Sequence, residues 1–239
     1  MCYHVSVKSN IKILEERFNA SYQSEKEIKT YYHVSGFSHP ILPVIRCDFP
    51  EFIKPCYWGL IPSWVKDEEH AKKMMDMTLN AKCETVFTLP SFRNSIRNRR
   101  CLVLVDGFFE WRTLSNKKYP YFIYLKKKEP FAMGGIYSDW INKETGEIVQ
   151  TFSILTTPAN LLLQKIHNVK LRMPLIISKE NEKKWLQTEL NENQINQMMQ
   201  PFDDSKLMAH TISKLITSKT EDSNQEAVQQ PHNYPEIND

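Results

Sequence analysis

Between residues 101 and 156 the chain holds four apolar, β-branched and aromatic segments separated by polar turns, and this stretch limits the fold more than any other. The segments are Cys101–Val105, Tyr121–Leu125, Phe131–Tyr137 and Gln150–Thr156. Residues of these types suit a half-buried pleated surface, and short runs bounded by turn residues read as strands. Ser115-Asn116-Lys117-Lys118 and Lys143-Glu144-Thr145-Gly146 supply the turn chemistry of hairpins, which makes the neighbouring strands antiparallel. Further extended pieces are expected at Tyr31–Phe37, at Pro40–Arg46 (an edge position, given its prolines), at Pro55–Trp64 leading into a tight turn, at Leu175–Ile177 and at Met208–Ile216.

Helical signals are short and scattered. Asn10 caps a helix from Ile11 to Phe18. Lys66–Asp76 reads as a loop or short helix, and Glu84–Asn98 as a helix interrupted at Pro90. Ala159–Ile166 follows Pro158, Ser178 opens a helix anchored by Trp185, and Asn191–Met199 forms another. No repeat and no βαβ rhythm is present. The fold class expected is α+β: a single domain with a strongly bent, mostly antiparallel β-sheet core flanked by short helices. That domain is expected over 1–217. Residues 218–239 are polar and aperiodic, and are expected to lack structure.

Charge narrows the function. With 31 Lys+Arg against 28 Asp+Glu the net charge is only +3, so any nucleic-acid surface must be local rather than global. No apolar run approaches the ~18–20 residues that span a bilayer, and no leader opens the chain, so a cytoplasmic protein with no membrane partner is expected. The five cysteines are odd in number and form no CxxC pair, and the histidines lack ligand spacing; neither a disulfide framework nor a metal or other cofactor is expected.

Four polar positions stand out. Cys2 follows Met1 directly, and removal of Met1 would leave a free 1,2-aminothiol. Its amine can attack an aldehyde to give a Schiff base, and its thiol can then close a thiazolidine. The plainer reading is an ordinary cysteine at the start of an edge strand. Asn80 opens Asn80-Ala81-Lys82-Cys83-Glu84-Thr85 and reads either as a helix cap or as an orienting amide, with Lys82 suited to a phosphate. Glu110 sits between Phe109 and Trp111, where poor hydration would raise its pKa into the range of proton transfer, unless it faces solvent on an alternating strand. His167 ends a helix and is either a structural hydrogen-bonder or a general acid/base. Arg93 and Arg97 belong to the densest basic run, Arg93–Arg100, and Trp58 and Trp64 are either core or stacking platforms for bases.

Taken in order, Cys2, Trp58–Trp64 (WGLIPSW), Asn80–Thr85 (NAKCET), Arg100–Trp111 (RCLVLVDGFFEW), Gly134-Gly135-Ile136, and His167 ahead of Arg172-Met173-Pro174 resemble the SRAP (SOS-response-associated peptidase) family. The resemblance runs from Cys2 to about residue 215. It implies an abasic-site sensor of single-stranded DNA that forms a covalent thiazolidine through Cys2 after Met1 removal, with possible lyase and self-processing activity. It implies proton transfer by Glu110, acid/base assistance by His167 and positioning by Asn80. His4, Trp64, Lys82, Arg93, Arg97, Thr156 and Arg172 are the candidate DNA contacts, and a monomer is expected. Two rivals remain: an N-terminal-nucleophile peptidase, and a noncatalytic single-strand-binding module.

Four departures from the family pattern bear on DNA grip. Tyr3-His4 replaces the usual Gly-Arg, so an expected phosphate-holding arginine is lost. Lys82 replaces an arginine and loses the bidentate fork. Gly36-Phe37 stands where a proline is expected, and Val169-Lys170-Leu171 adds residues between His167 and Arg172.

Overall fold

The computed structural model describes residues 2–237. Its strands are β1 (His4–Val7), β2 (Ser21–Tyr22), β3 (Tyr31–Ser35), β4 (Ile41–Arg46), β5 (Phe49–Trp58), β6 (Asn80–Lys82) and β7 (Arg100–Val105). They continue as β8 (Gly107–Leu114), β9 (Lys117–Leu125), β10 (Phe131–Ile141), β11 (Ile148–Pro158), β12 (Arg172–Pro174), β13 (Ile176–Ile177) and β14 (Leu207–Thr211). The helices are α1 (Ile11–Phe18), α2 (Glu68–Met77), α3 (Arg93–Asn98), α4 (Leu161–Ile166), α5 (Glu182–Trp185) and α6 (Glu192–Met198). Among the described residues no helix is long and apolar enough to cross a membrane.

The expected α+β class with mostly antiparallel pairing is what the chain forms. One sheet runs in the order β14-β9-β8-β1-β3. The other, β12-β11-β10-β7-β4-β5-β2, bends until β11 pairs with β5, so β11, β10, β7, β4 and β5 close a barrel. The closing contact is parallel, as are β6 on β11 and β2 on β5; the other ladders are antiparallel. Closure leaves no free edge among these five strands. All six residues of β7 are buried, which is why this strand reads as an unbroken apolar run with no polar alternation.

Local chemistry fixes the joints. The β8–β9 hairpin turns on Ser115 and Asn116, both at positive φ (47° and 63°), a pair that asparagine tolerates well. Asn10 accepts from the Ile13 amide at 3.1 Å and starts α1 as expected. Three tryptophans anchor loops by donating from their indoles: Trp58 to Leu79 O, Trp140 to Val65 O and Trp185 to Cys101 O. Gly59 has φ +119°, and a Cβ there would lie 2.8 Å from the Met75 carbonyl, so this turn after β5 needs glycine.

Several boundaries differ from expectation. Helix α3 covers only Arg93–Asn98, because the segment before it breaks into turns around Pro90. Pro158 ends β11, and Asn160 is the residue that caps α4, accepting from the Leu163 amide. Ser178 makes no side-chain cap. The last strand stops at Thr211 and gives way to a 3-10 turn at Lys214–Thr217. The largest correction concerns the polar tail. Residues 218–237, expected to lack structure, fold back on the first sheet: Val228 is fully buried, and Gln229 donates to Ser6 Oγ and to Tyr32 O, each at 2.7 Å. Polar composition concealed this because the segment is held by side-chain hydrogen bonds, a single backbone bridge from Pro231 to Ile212 and scattered apolar contacts from Val228, Tyr234 and Ile237, without periodic burial.

Candidate active site

Strand β1 carries the N-terminal residues into the first sheet, between β8 and β3. Val5 pairs with Phe108 on β8, and that antiparallel register, continued outward, sets Tyr3 opposite Glu110. Asp106 fixes the strand's far end by accepting from the amides of Lys8 and Ser9 at 2.7 and 2.8 Å. On the near side Asn80, brought by β6 alongside β11, donates from Nδ2 to the Cys2 carbonyl at 2.8 Å. Asn80 is therefore a strand residue whose amide orients the Cys2 backbone, and not a helix cap.

Cys2 is fully buried, with its thiol 3.8 Å from the His4 carbonyl. Burial pushes the thiol pKa well above its ordinary value, and the nearby Glu110 carboxylate adds to the effect. Glu110 is itself buried, and desolvation raises its pKa to about 8. The aromatic flanks foresaw this direction. His167 Nδ1 lies 3.6 Å from Glu110 Oε1. Burial lowers its pKa to about 4, against a smaller opposing effect of the Arg172 carbonyl. Since a carbonyl can only accept, the 2.8 Å contact from His167 Nδ1 to Arg172 O places the ring proton on Nδ1 and leaves Nε2 a lone pair. Near neutrality the pair is a carboxylic acid beside a neutral imidazole, and not an ion pair.

Glu110 and His167, with Tyr3 and His4 next to the buried Cys2, line a cleft of about 730 Å³. Its walls carry Tyr3, His4, Glu110, Trp111, Thr113 and Thr217, with Lys82, Lys118, His167, Val169, Lys170 and Arg172. Lys118 and Lys170 gave only a faint signal in the sequence, one at a turn and one in the extra residues after His167. Asn168 pins that loop to β8, donating to Thr113 O at 2.8 Å and accepting from Thr113 N at 2.9 Å. Val169, 63% exposed, projects at the rim.

The remaining candidate DNA contacts divide. His4 and Lys82 line the cleft. Arg172 does too, but its guanidinium is forked onto Glu84 and also donates to Thr156 O and Oγ1 at 2.6 and 3.0 Å. Thr156 is fully buried, so it holds Arg172 in place and does not itself face a channel. Trp64 is 47% exposed and lies edge-on to His70, away from the cleft walls; Trp58 is core. Arg93 and Arg97 are exposed on α3 outside the cleft, and Arg97 is engaged by Glu192 at 3.1 Å. Arg100, the last of that basic run, is buried and donates to the Trp185, Ile96 and Arg97 carbonyls.

Comparison with known proteins places this arrangement. The family model described as SOS response associated peptidase (SRAP) matches residues 1–219. The chain is 35% identical over 226 residues to the abasic site processing protein YoqW of Bacillus subtilis, covering 93% of this chain and 97% of that one. It is 30% identical over 187 residues to the abasic site processing protein HMCES of Gallus gallus, covering 70% of this chain and 54% of that one. A crystal structure of a protein from Bacteroides thetaiotaomicron superposes with a TM-score of 0.89 at 37% identity, covering 97% of this chain and all of that one. The chain belongs to the SOS response associated peptidase family.

Proposed function

We propose that this protein captures abasic sites in single-stranded DNA by forming a thiazolidine on Cys2 once Met1 has been removed. The observation that carries the reading is that Cys2, held by Asn80 and close to Glu110, lies directly behind a cleft on whose walls Glu110 and His167 stand with Lys82, Lys118, Lys170 and Arg172. An abasic sugar is in equilibrium between a closed hemiacetal and an open aldehyde, and only the aldehyde reacts with an amine. Glu110, protonated near neutrality, supplies a proton to the ring oxygen as the sugar opens. The Cys2 amine then adds to the aldehyde carbon, and loss of water leaves an imine.

The thiol adds across the C=N bond to close the five-membered ring, its proton ending on the ring nitrogen. Because burial keeps that thiol protonated, the step needs an acceptor to move the proton, and His167 Nε2 carries a lone pair in this cleft. Asn80 holds the Cys2 carbonyl, and with it the direction of the attacking amine. The cationic walls suit the phosphates on either side of the lesion. Relatives named for abasic-site processing support DNA as the partner.

The test is a denaturing gel of Met1-processed protein incubated with single-stranded DNA carrying an abasic site. A heat-stable shifted band that Cys2→Ala removes is the expected result. A band with an unaltered rate in Cys2→Ala, or none from processed wild type, overturns the proposal.

A further inference from the structure

The C-terminal segment reaches the cleft through a chain of hydrogen bonds that the chemistry above does not use. Strand β3 is the edge of its sheet, and the segment covers it. Asn224 Oδ1 accepts from the Tyr32 amide at 2.8 Å, while Gln229 donates to the Tyr32 carbonyl. Val228 is buried in a cluster with Phe109, Phe122, Ile212 and Ile216, which keeps the segment down. Just ahead of these anchors Ser223 Oγ lies 2.7 Å from His33 Nδ1, and His33 Nε2 lies 2.9 Å from His4 Nδ1. His4 is on the cleft wall.

Aromatic contacts fix both rings. His4 and His33 are near-parallel at 17°, Trp111 meets His4 edge-on with centroids 4.9 Å apart, and Phe109 meets His33 the same way at 5.2 Å. An N···N hydrogen bond needs a proton on one ring and a lone pair on the other, so the two rings cannot both be charged. Ser223 can donate or accept, and whichever it does fixes the proton pattern down the chain to His4 Nε2.

We propose that Ser223 and His33 are positioning residues that hold His4 in one neutral tautomer, so that His4 faces the cleft as a hydrogen-bonding group for the uncharged sugar and not as a phosphate-binding cation. Burial favours the same state, lowering the His4 pKa to about 4 and the His33 pKa to about 3. The position at which the family pattern has a phosphate-holding arginine thus carries a different task here, and the C-terminal segment is part of the working cleft. Only the identity of what enters the cleft rests on the function proposed above.

Long-range proton–nitrogen NMR of the full-length protein near pH 7 tests the relay without DNA. The His4 ring, identified by its loss in His4→Gln, should show one protonated and one bare nitrogen. Ser223→Ala should move those shifts toward a tautomer average, and Ser223→Thr should restore them. An imidazolium pattern for His4, or an unchanged spectrum in Ser223→Ala, overturns the relay. A thermal melt confirms that Ser223→Ala remains folded.

A salt titration of binding to single-stranded DNA tests the role. His4→Ala should leave the slope of log affinity against log salt unchanged, while Lys82→Ala should reduce it by about 0.7. An equal reduction in His4→Ala would make His4 a phosphate contact and sink the second half of the proposal. Covalent capture should slow several-fold in Ser223→Ala and recover in Ser223→Thr. A wild type that forms no adduct would refute the proposed function, and the ring spectrum would still decide the relay.

Discussion

Glu110 and His167 illustrate how burial sets protonation state. Both are desolvated, and desolvation favours the neutral form of each: the carboxyl titrates near 8 and the imidazole near 4. The acid is therefore available at the pH at which the base is also unprotonated. Glu110→Gln keeps the shape but removes the transferable proton, and should slow adduct formation by roughly 10²-fold or more while leaving DNA affinity nearly unchanged. A gel time course with a parallel binding titration checks this, and an unchanged rate would remove Glu110 from proton transfer.

The same shifts predict a stability profile. Histidines with folded pKa values of about 4 (His4, His167) and about 3 (His33) are neutral in the folded chain and protonated in the unfolded chain below 6.5. Their contribution is complete above 6.5 and is lost as pH falls, at ~1.4 kcal/mol per pH unit for each. Glu110 acts oppositely: its raised pKa favours folding at low pH, and that contribution is lost as pH rises through about 8. With three histidines against one carboxyl, denaturant unfolding should show stability declining from pH 6.5 toward 4. A flat profile would mean that these histidines are charged in the folded protein.

At the scale of elements, legibility followed distance along the chain. The hairpins and strands between 101 and 156 could be read because their turns and apolar runs are local. Cys2, Asn80, Glu110 and His167 could be singled out because each has informative neighbours: a preceding Met1, a polar cluster, flanking aromatics and a helix end. The barrel closure of β11 on β5 joins Thr151 to Tyr57, and the Ser223–His33 contact spans 190 residues; no spacing rule reports either. The basic run Arg93–Arg100 is divided by the fold for a related reason. Arg97 and Arg100 look like a nucleic-acid patch in one dimension, but one pairs with Glu192 and the other supports the Trp185 loop. Trp185 is fully buried and donates to the β7 backbone, so Trp185→Ala should destabilise the fold by ~3–5 kcal/mol in denaturant unfolding. A loss below about 1 kcal/mol would contradict its anchoring role.

For the whole molecule, a net charge of only +3 coexists with a cleft that gathers Lys82, Lys118, Lys170 and Arg172. Arg172 is already paired with Glu84, so under the proposed function the three lysines are the main phosphate partners. Lys118→Ala with Lys170→Ala should weaken single-stranded DNA binding whatever the sequence and reduce its salt slope by about 1.4, whereas Arg97→Ala should leave both nearly unchanged. Two sheets, one of them closed into a barrel, thus set Tyr3 and His4 on the wall of this cleft, and the proposed function makes the adjoining Cys2 its reactive residue. Mass spectrometry of the Met1-processed protein after incubation with abasic single-stranded DNA tests that claim most directly. The account predicts a covalent adduct whose mass is the sum of protein and DNA less one water, mapped to Cys2 and missing in Cys2→Ala. An adduct mapped to any other residue, or no adduct from processed protein, would contradict it.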